Sequence, residues 1–206
     1  NSKERAERTA QEIGEAGGNS FCLKADISKE KDIIKLFKVI DTYKMPLFGL
    51  INNAGMGNGG GVCKIENMSI GLLKKIYEVN VFGSFLCSRE AVLRMKKQKE
   101  GRIINISSQA GTFGGNQMSH YSSSKGAINT LTIALARELG KYNICVNAVS
   151  PGIIDSFSRT KTNKKDLISS IPLGKMGLPK DVANTVLWLL SENSSFLSGA
   201  IIPVSG

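Results

Sequence analysis

The sequence predicts a single α/β domain in which a parallel sheet is covered by helices on both faces. Three observations predict it. The 206 residues suit one domain, and an apolar share of 41% with 21% charged residues is ordinary for a globular chain. Runs with helical period alternate from end to end with short apolar runs of strand length. There is also no internal repeat, linker or low-complexity stretch to divide the chain.

Taken in order, Ser2 to Ala16 reads as a helix with Ala6, Ala10 and Ile13 on one face and Gly17 as its stop. Phe21 to Ala25 is expected as a strand. Ser28 is then expected to cap a helix that lines up Ile33, Phe37 and Ile40. Leu47 to Ile51 is a short apolar strand running into Asn-Asn-Ala-Gly. A long helix is expected from Ser69 to about Lys97, and Arg102 to Ile106 is a buried strand. Tyr121 to about Lys141 is strongly periodic, with Ile128, Leu131, Leu135 and Leu139 inward. Ile144 to Val149 forms a strand ending in Ser-Pro-Gly. Asp155 to Ser170 is polar, has no period and reads as a loop beside a substrate. Pro179 opens a last helix carrying Val182, Val186 and Leu189, before a strand from Ala200 to Val204.

Composition narrows the function. No apolar run approaches the ~18–20 residues that span a bilayer, and the first thirteen residues have no apolar signal core. Cys22, Cys63, Cys87 and Cys145 are scattered without metal-ligand spacing, so they read as reduced thiols in a cytoplasmic protein, with no metal site. The net charge of +10 gathers at Lys96, Lys97 and Lys99 and at Lys161, Lys164 and Lys165. No nucleic-acid-binding motif accompanies it, so the charge favours anionic small molecules or an acidic protein.

One motif is deceptive. Gly55-Met-Gly57-Asn-Gly59-Gly60 satisfies a dinucleotide-binding glycine pattern after a strand, but the residues that follow do not open a helix. No helix N-terminus would then face a phosphate.

Four features carry chemistry together. Tyr121 and Lys125 stand four residues apart on one helix face. Thirteen residues before the tyrosine, Ser107-Ser108 closes a strand where a hydroxyl can meet a ligand. Asn80 sits inside a helix, where asparagine is a poor helix former. Asn52-Asn53-Ala54-Gly55 is a strand-to-loop element whose small residues admit a flat ligand. His120 adjoins Tyr121 and reads as a rim residue or substrate contact. Trp188, among leucines, reads as core or subunit contact.

These residues in this order and spacing resemble the short-chain dehydrogenase/reductase family, from Asn-Asn-Ala-Gly to the closing Ser-Gly-Ala-Ile-Ile-Pro-Val-Ser-Gly. The resemblance implies a Rossmann-like, doubly wound, three-layer αβα domain with strand order 3-2-1-4-5-6 and a seventh strand beyond. On that basis the chain is expected to lack its first strand, helix and second strand, with the phosphate-binding glycine loop among them.

The resemblance also implies roles. A free tyrosine has a pKa of about 10, and positive charge from Lys125 and an oxidised nicotinamide favours its phenolate. Tyr121 is then acid in reduction and base in oxidation, Ser108 donates to the substrate oxygen, and Asn80 holds a water linked to Lys125. Lys125 and Tyr121 meet the nicotinamide ribose. Asp26 and Ile27 lie along adenine, Asn53, Ala54 and Gly55 line the adenosine side, and Pro151, Gly152, Ile154 and Ser156 hold the nicotinamide end. Lys3 and Arg5 point to NADP, with NAD the alternative.

The substrate is expected to be a secondary alcohol or ketone, sugar-like in the manner of the sugar dehydrogenases that the sequence resembles. A 3-oxoacyl-acyl-carrier-protein reductase is the competing enzyme, with an acyl carrier protein as partner at Lys96 to Arg102. A non-catalytic nucleotide-binding module is the reading from another class. A homotetramer or homodimer is implied, without nucleic acid or membrane.

Overall fold

The computed structural model describes residues 3–57, 62–155 and 164–206. Helix α1 (Lys3–Glu15) ends where Gly17 takes φ +83°, a left-handed value that suits glycine. Phe21–Ala25, expected as a strand, forms none. A strand exists through its ladder partners, and no described strand lies beside this segment. Phe21 stacks instead on Tyr43, ring centroids 4.3 Å apart.

Helix α2 (Glu30–Thr42) buries Ile33 and Phe37, but Ser28 does not cap it. The N–H and hydroxyl of Ser28 both donate to Oδ1 of Asp26, at 3.1 and 2.7 Å. Oδ2 of Asp32 accepts from the Asp26 N–H at 3.0 Å, so two carboxylates organise this helix start.

Strand β1 (Gly49–Asn52) is followed by helix α3 (Ile70–Tyr77), whose start is capped by the Ser69 hydroxyl accepting from Leu72 N–H. The expected single helix is present with one difference. Glu78–Phe82 widens into a π turn before helix α4 (Gly83–Gln98) resumes. Such turns are rare and cluster at functional sites; this one carries Asn80.

Strand β2 (Gly101–Ile106) leads through the short helix α5 (Ala110–Phe113) to helix α6 (Ser119–Leu139). Strand β3 (Ile144–Pro151), helix α7 (Lys164–Ser169), helix α8 (Pro179–Leu190) and strand β4 (Ile201–Val204) complete the described elements.

The four strands lie in the order β1-β2-β3-β4, all parallel. Ile103 pairs with Val146 and Ile104 with Asn147, so successive residues of β2 serve opposite layers. Ile103, Val146 and Ile144 pack with Ile33, Phe37, Ala91, Met95 and Leu139 on one face. Ile104 and Val149 pack with Val186 and Leu189 of α8 on the other. This is the three-layer arrangement expected. A polar seam crosses the first layer, where Asn52 Nδ2 donates to Asn105 Oδ1 (2.8 Å) and Asn105 Nδ2 donates to Thr132 Oγ1 (2.9 Å). Among the described residues no helix is long and apolar enough to cross a membrane.

Candidate active site

Parallel strands deliver their C-terminal ends to one edge of a sheet, where ligands of such folds bind. Here β1 runs into Asn53–Met56, β2 into Ser107-Ser108 and β3 into Gly152. Helix α6 brings Tyr121 and Lys125 to that edge. The Lys125 ammonium, on a residue 8% exposed, donates to the carbonyl of Ile106 at the end of β2, at 2.6 Å. It stands 5.9 Å from the centroid of the half-buried Tyr121 ring. Burial pulls the Lys125 pKa from 10.5 down to about 8.

Gly55 closes over this ammonium. A Cβ there would lie 3.2 Å from Asn80 Oδ1 and 3.8 Å from Lys125 Nζ. Asn80 is 2% exposed and grips the same loop. Its Oδ1 accepts from Met56 N–H at 2.7 Å, and its Nδ2 donates to the Met56 carbonyl at 3.0 Å and to Ser124 Oγ at 3.1 Å. Asn53, Ala54 and Gly55 themselves are exposed.

The two serines after β2 divide their tasks. Ser107 is buried, and its hydroxyl donates to Asn129 Oδ1 of α6 at 2.5 Å. Ser108 is half-buried on the loop, where its oxygen accepts only a 3.2 Å bond from Ala110 N–H among the bonds described. Of the two, only Ser107 has its hydroxyl proton committed to another side chain among the described residues. Across the loop, Gln109 N–H donates to the Pro151 carbonyl at 3.0 Å, and Gly152 N–H to the Val204 carbonyl at 2.9 Å. A Cβ at Gly152 would meet Ser205 Cβ at 2.8 Å and Gln109 Oε1 at 3.3 Å. Ile154 bridges to Gly177, which secures the far side. Ser156, residues 58–60 of the deceptive glycine pattern, and residues 156–163 of the polar stretch lie outside the described residues; the remainder of that stretch, expected as a loop, forms helix α7 at Lys164–Ser169.

Asp26 is half-buried, and the hydrogen bonds from Ser28 hold its carboxyl below the usual carboxylate range. It borders a groove of ≈ 400 Å³ between Leu23–Asp26 and α2, lined also by Lys24, Lys29 and Lys35. That groove contains neither Tyr121 nor Lys125. Ile27 connects the two regions, because its carbonyl would lie 2.9 Å from a Cβ at Gly83, the residue that follows the π turn.

Two expectations need correction. His120 is not on a rim. It is 2% exposed, and neither ring nitrogen has a hydrogen-bond partner among the described residues. Its place follows from helix period: His120, Ser124 and Ile128 stand at four-residue steps on the inward face of α6. Arg102 cannot meet a carrier protein, being 2% exposed with Nη1 on the Gly101 carbonyl. Trp188 is 43% exposed, beside exposed Leu187. Sequence reasoning missed Ser124. The inward stripe of Ile128, Leu131, Leu135 and Leu139, continued one turn back, would have found it.

The C-terminal edge of the parallel sheet thus gathers Tyr121, the buried Lys125 ammonium, Ser108 and the exposed Asn53–Gly55 backbone, where α/β folds of this kind take their ligands. The family described as enoyl-(acyl carrier protein) reductase matches residues 1–206. The uncharacterized oxidoreductase YgfF of Escherichia coli (strain K12) is 38% identical over 202 residues, covering 94% of this chain and 81% of that protein. The 3-oxoacyl-[acyl-carrier-protein] reductase FabG of Staphylococcus aureus (strain Mu50) is 32% identical, covering 100% of this chain and 83% of the relative. Among solved structures, NAD+-bound xylitol dehydrogenase superposes with a TM-score of 0.92 at 27% identity, covering 100% of this chain and 85% of its own.

The chain belongs to the short-chain dehydrogenase/reductase family of NAD(P)-dependent oxidoreductases.

Proposed function

We propose that the chain interconverts a secondary alcohol and a ketone, with Tyr121 moving the proton, Lys125 favouring the phenolate, Ser108 donating to the substrate oxygen and Asn80 fixing the loop opposite. The observation that carries this reading is the buried Lys125 ammonium, 5.9 Å from the Tyr121 ring and within 3.8 Å of a Cβ placed on Gly55. The residues present fit a nicotinamide dinucleotide, since the exposed backbone of Asn53, Ala54 and Gly55 lies beside the buried Lys125 ammonium at the C-terminal edge of the sheet. When bound, the nicotinamide gives or takes the hydride.

Lys125 and Tyr121 would hold the nicotinamide ribose. Asn53, Ala54 and Gly55 would line the adenosine side, Asp26 and Ile27 would face adenine, and Pro151, Gly152, Ile154 and Ser156 would hold the nicotinamide end. Asn80 keeps one Oδ1 lone pair beyond its bond to Met56, enough to accept from a water that returns protons to Lys125. NADP is the proposed dinucleotide, on the basic residues Lys3 and Arg5; the NAD+-bound neighbour keeps NAD as the alternative.

A sugar-like alcohol is the proposed substrate. A 3-oxoacyl thioester is the second reading, supported by the S. aureus relative and by the exposed Lys97 and Lys99, which could meet an acidic carrier. A cytoplasmic homotetramer accords with four free cysteines and with a stripe of exposed Phe82, Phe85 and Leu93 along the π turn and α4. NADPH or NADH consumption across sugars, ketones and acetoacetyl thioesters tests the activity. Tyr121→Phe is expected to lower turnover by ~10²-fold or more, and a near-normal rate refutes the assignment.

A further inference from the structure

We infer that Ser124 is a positioning residue that locks the Asn53–Met56 loop to the helix bearing Tyr121 and Lys125, acting through Asn80. Ser124 is fully buried. Its hydroxyl has one proton, which goes to the Tyr121 carbonyl at 2.7 Å. Its oxygen is then left to accept from Asn80 Nδ2 at 3.1 Å. The other Asn80 N–H donates to the Met56 carbonyl, and Asn80 Oδ1 accepts from Met56 N–H.

The direction of every bond in this chain is fixed by its neighbours. Turning the Asn80 amide over would set its NH2 against the Met56 N–H, donor against donor. Turning the Ser124 hydroxyl towards Asn80 would strip the Tyr121 carbonyl of that bond. The π turn, helix α6 and the loop after β1 therefore have one mutual arrangement in which all these groups are satisfied. That arrangement sets how near Gly55 stands to the Lys125 ammonium, with 3.8 Å between Nζ and a Cβ built on Gly55. Removing the Ser124 oxygen leaves a buried Asn80 N–H without a partner, a state the amide can escape only by rotating and releasing Met56.

The inference rests on the proposal that Gly55 lines the dinucleotide, but one of its tests does not. In Ser124→Ala, hydrogen exchange of Met56 and its neighbours in the loop is expected to rise about tenfold, the factor set by losing one buried hydrogen bond, while the amides of α6 and β2 keep their protection. The KM for the dinucleotide is expected to rise by a similar factor with kcat changed less than about threefold. Ser124→Cys, which keeps a weak acceptor of similar size, is expected to fall between. The double variant Asn80→Ala/Ser124→Ala is expected to exchange no faster in the loop than Asn80→Ala alone, because the serine acts only through the asparagine.

Unchanged loop exchange in Ser124→Ala overturns the inference. So does loss of protection spread evenly over α6, or additive effects in the double variant. A wild-type protein that turns over no alcohol or ketone sinks the enzymatic reading, and the exchange measurement still decides the role of Ser124.

Discussion

The ammonium of Lys125 has a calculable cost. Burial lowers its pKa from 10.5 to about 8, and that gap corresponds to about 3 kcal/mol of destabilised charge. Below pH 8 both the folded and the unfolded chain carry the proton, so the folded state bears the whole penalty. Between pH 8 and 10.5 the folded chain has released the proton and the unfolded chain still holds it. Unfolding then takes up a proton, so rising pH favours the folded state. Above pH 10.5 neither state is charged and the penalty is gone. Lys125→Met keeps most of the side-chain stem and removes the titration. Urea unfolding of both proteins at pH 7 and pH 10 gives the stability difference, in which other titrating groups largely cancel. Wild type is expected to gain about 2.5 kcal/mol on the methionine variant between those two values. A difference that stays constant within about 0.5 kcal/mol would show that the ammonium is hydrated, and the site as described would be wrong. In the proposed reaction the same proton would bear on turnover, because the Lys125 charge beside Tyr121 fades above about pH 8.

Other consequences follow from single contacts. In Gly83→Ala the new methyl meets the Ile27 carbonyl at 2.9 Å, a backbone atom that cannot swing away. Alanine is the better helix former by up to ~1 kcal/mol, yet overpacking by ~1–3 kcal/mol is expected to win; a raised urea midpoint would refute this. His120→Leu removes two buried nitrogens that lack partners among the described residues. Thermal unfolding is expected to show unchanged or higher stability, because each orphaned polar group costs ~1–3 kcal/mol. A marked drop would reveal a bonded partner of the imidazole. Cys22 is exposed, whereas burial and Glu90 push the Cys87 thiol up to about 11. Iodoacetamide at pH 8 followed by peptide mass mapping is expected to label Cys22 and spare Cys87.

Much of this was legible because helical period and residue chemistry agreed. The inward stripe of α6 placed Tyr121 and Lys125 on a packed helix, and the strands after Leu47, Arg102 and Ile144 brought three loops to one edge. What was not legible depends on partners far away in the chain. The π turn at Asn80 leaves no mark on hydrophobic spacing, since Ile76 before it and Ala91 after it are both buried as an ordinary helix would have them. Its sign was chemical, an asparagine in a helix interior, and its reason is the Met56 backbone two dozen residues earlier. Periodicity does not separate Ser107 from Ser108, and only the motif's resemblance singles out Ser108; the bond from Ser107 to Asn129, 22 residues on, gives the physical reason.

Phe21–Ala25 shows the opposite failure. Its apolar character predicts a strand, but a strand is a relation between two segments, and β1 pairs only with β2 among the described residues. Without a ladder partner among the described residues, Phe21 and Leu23 remain 49% and 42% exposed, and Ile51 on the outer edge of β1 is 45% exposed. An unpaired edge next to exposed apolar side chains is a surface that natural proteins cover.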